Sequence, residues 1–263
     1  MDFIKQAGTD PFLSEEARHH SLQHKERSIL LGRHQLEGKE DMTTKAIIFD
    51  FDGLIFDTET CELKSFEQLY EKYGVEFPKD EWLRIVGTIS TYDPYETLTG
   101  AHPQLMKNDL MAEYAALFEK IVEGETVREG VKEYIERGKE LGLKIAIASS
   151  SSRKWIEKYL AVIGLDVALF DVICTSDDVK NVKPDPELYE KVLSHFDIEP
   201  GEAIVFEDSA NGSLAAIRAN IPCVIVPNEV TKGLVFDERV ALRLNSKKDM
   251  ELDRVIEFIS SRQ

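Results

Sequence analysis

From Lys45 onward the chain repeats one pattern: a short run of apolar, mostly β-branched residues, then a longer stretch with helical periodicity. The apolar runs fall at 46–49, 143–148, 171–174, 203–206 and 223–226. Helical patterns fill 128–141, 152–163, 186–196 and 209–220. Strands apolar on both faces must be covered on both faces, and parallel strands need crossovers of the length a helix supplies. The pattern predicts an α/β fold built on a doubly wound parallel sheet. In such sheets ligands bind beyond the carboxyl ends of the strands.

One spacing breaks the rhythm. The first strand ends near Asp50 and the second begins near Leu143, far more chain than a single crossover needs. Helical patterns at 62–73, 80–86 and 105–122 occupy the gap. The expected organisation is an α/β core of residues 42–57 and 127–263 and a small helical cap domain of residues 58–126. Because the insertion follows the first strand, it lies above that strand's carboxyl end, where a lid would sit.

Residues 1–41 read as an N-terminal extension, with Gly8, Gly32 and Gly38 and dense charge weakening any packing. Met42 stands as a natural start, and a chain beginning there is expected to fold and keep full activity. The other reading is a helical arm that docks on the domain or on a neighbouring subunit. His19, His20 and His24 lack nearby carboxylate or cysteine partners and read as a solvated helix face.

The formal net charge is -17, which repels nucleic acid and anionic membranes. The longest apolar runs are too short to span a bilayer, and the opening Met1-Asp2-Phe3-Ile4-Lys5 lacks a secretory pattern. Cys61, Cys174 and Cys223 form no C-x-x-C pair, as expected of reduced thiols in a cytoplasmic protein. No nucleic-acid or membrane partner is expected, and the oligomeric state is expected to be a monomer or weak dimer. Any anionic substrate must then be held by local positive features.

Four polar clusters stand at predicted strand ends: Asp50-Phe51-Asp52-Gly53, Ser149-Ser150-Ser151, Lys183-Pro184-Asp185-Pro186 and Glu207-Asp208-Ser209. Singly, each has an ordinary reading. A D-x-D is usually a solvated turn, a serine run a helix cap, and Asp185 or Ser209 the cap of the following helix. Together, on a parallel sheet, they converge on one rim. In order, the segments Asp50 to Leu54, the strand ending in Ser149, Val182 to Pro186 and Phe206 to Gly212 resemble the motifs of the haloacid dehalogenase superfamily. The likeness is to its branch of capped phosphatases and β-phosphoglucomutases, and it covers nearly everything from Lys45 onward.

That resemblance implies a Rossmann-like core and a Mg²⁺-dependent phosphohydrolase acting on a small-molecule phosphate ester through an aspartyl-phosphate intermediate. The residue chemistry agrees. Asp50 can attack phosphorus as a carboxylate nucleophile. Asp52, two residues on, can protonate the leaving alkoxide and later take a proton from water. Mg²⁺ favours hard oxygen ligands, which Asp50 and Asp208 would supply. The family pattern adds the Asp52 backbone carbonyl and Glu207, directly or through water. Lys183 would neutralise charge on the nucleophile and on the phosphoryl oxygens. Ser149, with the backbone N–H groups of Ser150 and Ser151 opening the next helix, would seat the phosphate.

The resemblance also bears on the reaction. Dehalogenating members lack the second aspartate and transport ATPases carry threonine there, so Asp52 points to a phosphatase or a mutase. The mutases carry a cap histidine where this chain has Glu62, beside Cys61. They also carry an arginine past a cap glycine, where this chain has Gly87-Thr88-Ile89-Ser90. Hydrolysis is therefore expected, with a β-phosphoglucomutase-type mutase as the alternative. Glu59, Glu62, Thr88 and Ser90 are the expected polar contacts of the lid, and a sugar phosphate or nucleotide monophosphate the expected substrate. Two readings from other classes are a non-catalytic phosphometabolite sensor and a structural partner recruited through the N-terminal arm. A retired enzyme has no need of Asp50, Asp52, Lys183 and Asp208 together. Trp82 and Trp155 are expected to pack cap against core, and His102 and His195 to be surface residues.

Overall fold

The computed structural model describes residues 44–89 and 91–262. The expectations for residues 1–41 and for Ser90 lie outside the described residues.

Six strands, β1 (Ala46–Phe49), β2 (Lys144–Ala148), β3 (Val172–Cys174), β4 (Ala203–Glu207), β5 (Cys223–Ile225) and β6 (Leu242–Arg243), form one sheet in the order β3-β2-β1-β4-β5-β6. Every neighbouring pair is parallel. The expected strands recur to within a residue or so. The two-residue β6 was not expected, because Leu242-Arg243 carries too little apolar sequence to signal a strand.

After β1 the insertion supplies four helices among the described residues, α1 (Thr58–Lys72), α2 (Lys79–Leu83), α3 (Glu96–Ala101) and α4 (Lys107–Val122), before the core helix that leads into β2. The Asp57 side chain accepts from the Thr60 N–H at 3.2 Å and starts α1 four residues before its expected onset. α3 was missed, since its sequence, with Thr97, Thr99 and Gly100, has weak helix propensity. The later helices are α5 (Val131–Glu140), α6 (Arg153–Val162), α7 (Glu187–Phe196), α8 (Ala210–Arg218) and α9 (Leu252–Ser260).

Alternation along the strands sorts the core into two layers. Ile47, Phe49, Ile145, Ile147, Ile204 and Phe206 meet Tyr134 and Ile135 of α5, Tyr159 and Leu160 of α6 and Val255 and Ile259 of α9. Ala46, Ile48, Ala146, Ala148, Ala203 and Val205 meet Leu188 and Val192 of α7 and Ala215 and Ala216 of α8. Each fully buried branched or aromatic side chain contributes about 1.5–3 kcal/mol of transfer free energy. The insertion has an apolar cluster of its own, including Phe66, Leu69, Tyr70, Trp82, Leu98 and Leu110. The Phe66 ring stacks on Tyr114 at 4.3 Å and on Phe77 at 5.4 Å. No helix among the described residues is long and apolar enough to cross a membrane.

Candidate active site

Asp50 extends β1 by one step: its N–H donates to the Phe206 carbonyl at 3.0 Å, which delivers the side chain to the carboxyl rim. The chain then turns at Gly53, whose φ is +78°. A Cβ there would run into the side chains of Asp208, Glu59 and Asn228, so conformation and room both require glycine.

Lys183 reaches the same point from the loop after β3. Its ammonium, 1% exposed, donates to Asp50 Oδ1 and, at 2.7 Å, to Glu207 Oε1. Burial disfavours the charged lysine, but Asp50 and Glu207 more than offset this and hold its pKa above the ordinary value. Burial pushes the Asp50 carboxyl well up, with Lys183 opposing and Glu207, Asp208 and Asp52 adding to the rise. Glu207 Oε1 also accepts from Tyr189 Oη at 2.7 Å, while Oε2 takes the Asp208 and Ser209 N–H groups and the Ser209 hydroxyl. With both oxygens occupied, Glu207 is a fixed counter-charge for Lys183 and a seat for the start of α8.

Asp50, Glu207 and Asp208 place one oxygen each within 4.8 Å of one another. Asp208 Oδ2 accepts from Asn228 Nδ2 at 2.9 Å and from Thr231 Oγ1 at 3.4 Å, but its Oδ1 is buried with no hydrogen-bond partner. Burial, then the charge of Glu207, pushes Asp208 up to about 7. Glu59, itself raised by burial and by Asp208, shares a hydrogen bond with Asp208 and accepts from Asn228 at 2.9 Å. Four buried carboxyl groups thus gather around the Lys183 ammonium, and one oxygen of Asp208 among them is orphaned. That donor set of hard oxygens fits a divalent cation.

Asp52 is held by four donors. Thr58 Oγ1 and Trp155 Nε1 reach Oδ1, each at 2.8 Å, and Ser151 Oγ at 2.6 Å and Ser149 Oγ at 3.4 Å reach Oδ2. Trp155 does pack core against insertion, its ring 5.7 Å from Phe118; its N–H on Asp52 was not foreseen.

The helix after β2 starts at Arg153 with Ser152 as its cap, where the 152–163 pattern placed it, so the Ser150 and Ser151 N–H groups lie ahead of the helix rather than opening it, and the Ser151 N–H is taken by Ser149 Oγ at 3.0 Å. Ser150 Oγ donates to the Gly87 carbonyl at 3.2 Å, tying core to insertion. Asn211 Nδ2 does the same to Val86 at 2.9 Å, and Thr88 Oγ1 donates to the Lys183 carbonyl. Among the expected lid contacts, Thr88 and Glu62 line the cavity above Asp50, whereas the Glu59 carboxyl is committed to Asp208 and Asn228. Burial, reinforced by Asp52, pushes the Glu62 carboxyl up to about 8. The cavity holds about 160 Å³, with Trp82, Ile85 and Val86 as its apolar wall. His102 is half-buried, a ring nitrogen 2.9 Å from the Tyr73 carbonyl, rather than a plain surface residue; His195 is exposed.

Residues 47–226 match the haloacid dehalogenase-like hydrolase family. The chain belongs to that family. A Bacillus subtilis (strain 168) relative named "Putative phosphatase YhcW" is 42% identical over 218 residues, which cover 82% of this chain and 98% of the relative. "Phosphorylated carbohydrates phosphatase" of Thermotoga maritima is 34% identical, covering 67% of this chain and 82% of its own. Among solved structures, "putative beta-phosphoglucomutase" from Thermotoga maritima is similar with a TM-score of 0.66 and 27% identity, covering 81% of this chain and 99% of that one. This member of the haloacid dehalogenase-like family is a phosphatase acting on phosphorylated compounds.

Several residues of this candidate site were not singled out from sequence. Thr58 stands inside Asp57-Thr58-Glu59, and Asn228 and Thr231 follow β5, where the strand-end rule would have found them. Arg128 binds the carbonyls of Gly53, Val226 (3.1 Å) and Pro227 (2.9 Å), clamping the loops that carry Asp52 and Asn228. Nothing near Arg128 in sequence signals that role.

Proposed function

We propose that the protein is a Mg²⁺-dependent hydrolase of a small phosphomonoester, with Asp50 as phosphoryl acceptor and residues 58–126 as a cap domain over it. The observation that carries this reading is the setting of Asp50. It is bound by Lys183, clusters with Asp208, one of whose oxygens no donor among the described residues satisfies, and lines the cavity that Asp52 shares.

Asp50 and Asp208 would hold the metal directly, with Glu207 behind them. When bound, the metal neutralises carboxylate and phosphate charge and polarises the phosphoryl group. An Asp50 oxygen attacks phosphorus, the bond from phosphorus to the substrate oxygen breaks, and Asp52 gives that oxygen a proton. Lys183 offsets the charge gathering on the phosphoryl oxygens. In the second half, Asp52 takes a proton from water as it attacks the aspartyl phosphate, releasing inorganic phosphate and restoring both carboxyl groups. Ser149 and Ser151, whose hydroxyls reach Asp52 at 3.4 and 2.6 Å, stand beside this exchange, while Ser150 is tied to the insertion.

The likeness to a structure described as a β-phosphoglucomutase favours a second reading, transfer within a phosphosugar. A mutase must grip a second phosphate, and no lysine, arginine or histidine is among the described residues lining the cavity. Hydrolysis is the reading we adopt.

Phosphate release from p-nitrophenyl phosphate tests it. Turnover should need Mg²⁺, stop with chelator, and fall by a factor on the order of 10⁴ or more in Asp50→Asn. Metal-independent turnover, or a variant as active as the parent, contradicts it. Glucose 6-phosphate accumulating from β-glucose 1-phosphate would favour the mutase.

A further inference from the structure

Four carboxyl groups line the cavity: Asp50, Asp52, Glu59 and Glu62. Three have protein partners: Lys183 for Asp50, four donors for Asp52, and Asn228 for Glu59. Glu62 differs. It stands one turn after Thr58 on the cavity face of α1, partly buried, and no hydrogen bond or ion pair of the described residues reaches its carboxyl group. A carboxyl group drawn out of water without a partner is costly, and a ligand that supplies a donor removes the cost. Trp82, Ile85 and Val86 of the lining are apolar and the Thr88 hydroxyl is given to the Lys183 carbonyl, so Glu62 is a polar group with which the insertion can meet a substrate's carbon chain.

We propose that Glu62 selects the substrate. The pocket takes small phosphomonoesters whose carbon chain bears a hydrogen-bond donor near the phosphate, a hydroxyl or an ammonium group, and discriminates against a second phosphate. Three observations converge on this: a carboxyl without a partner among the described residues, no lysine, arginine or histidine among the described lining residues, and a volume of about 160 Å³, well below that of drug-sized ligand sites. A second phosphate would be set among carboxyl groups, with no cation among the described lining residues to receive it. The proposal rests on Asp50 receiving the phosphoryl group and deepens that reading.

Selectivity ratios test it. For the wild type and the variants Glu62→Leu, Glu62→Gln and Glu62→Lys, kcat/KM is measured on glycerol 1-phosphate, 2-aminoethyl phosphate, propyl phosphate, fructose 6-phosphate and fructose 1,6-bisphosphate. The wild type should prefer at least one donor-bearing ester over propyl phosphate by about tenfold or more, and the leucine variant should bring that ratio near one. Glutamine should retain a hydroxyl preference and lose an ammonium preference, which tells the two donors apart. The monophosphate should exceed the bisphosphate by about tenfold or more, and lysine should narrow that gap. If leucine leaves the ratios intact, or lowers all substrates equally, Glu62 does not read the substrate; if it fails to fold, the glutamine and lysine ratios decide. A p-nitrophenyl phosphatase that survives Asp50→Asn sinks instead the reading of Asp50, whatever the ratios show.

Discussion

In the core, three polar groups on the carboxyl rim are held from several sides: Asp52 by four donors, Glu207 by five, Lys183 by two carboxylates. The helical insertion meets the same cavity with an apolar wall and a carboxyl group, Glu62, that has no hydrogen-bond or ion-pair partner among the described residues. It is pinned to the core near the site by hydrogen bonds on Val86, Gly87 and Thr88. Groups that must be aimed at a reacting phosphorus need a rigid, fully satisfied setting. A group that recognises a changing partner must keep its bonding capacity free. The contrast matches the proposed division of labour, in which the core fixes the reaction and the insertion fixes what is admitted to it.

The sharpest break of that comparison is energetic. Phe66→Ala removes the ring at the centre of the insertion's own cluster and should cost about 3–5 kcal/mol of local stability. Hydrogen exchange should show the loss confined to residues 58–126, with amides of β1 and β4 still protected. Equal loss in both regions would mean that the insertion is not a separate domain.

A smaller effect is expected at the clasp. Ser150→Ala and Asn211→Ala each remove one hydrogen bond to the insertion, worth about 1 kcal/mol. KM for p-nitrophenyl phosphate should rise about threefold to tenfold in the double variant, with less change in kcat. A fall in kcat at constant KM would assign these residues to the chemistry instead.

The smallest is a pH effect on stability. Glu62 has its pKa raised from 4.5 to about 8, so the folded state binds a proton that the unfolded state has released between those values. Its contribution is fully present below pH 4.5 and is lost as pH rises through 8. Glu62→Gln should therefore gain stability relative to the parent between pH 6 and 9, on the order of 1 kcal/mol and a few degrees in Tm by calorimetry. A constant difference across that range would place Glu62 in open solvent.

The two regions also differ in how well the sequence announced them. Core strands were legible because a strand covered on both faces reads as an unbroken apolar run, as Ala46-Ile47-Ile48-Phe49 does. Asp50, Asp52, Lys183 and Asp208 could be picked out because polar residues at the ends of such runs fall on one rim, and the structure brings their side chains together there. Within the insertion, α3 escaped notice because Glu96–Ala101 lacks both length and an apolar stripe. Trp155, Asn228 and Arg128 escaped for another reason. Each bonds a residue about 75 or more positions away, or, for Asn228, one on a different strand end as well, and local periodicity holds no trace of such pairings. The Ser150 and Ser151 N–H groups were read as opening the next helix because the sequence does not show that Ser151 and Ser150 give their hydroxyls to Asp52 and Gly87 ahead of the Ser152 cap.

The measurement closest to the central claim is acid quenching of the enzyme during turnover, followed by peptide mapping for acyl phosphate. The account predicts phosphate on the peptide containing Asp50, formed only with Mg²⁺ and absent from Asp50→Asn. Steady hydrolysis with no phosphorylated peptide under conditions that trap acyl phosphates, or with the phosphate on another residue, would contradict it.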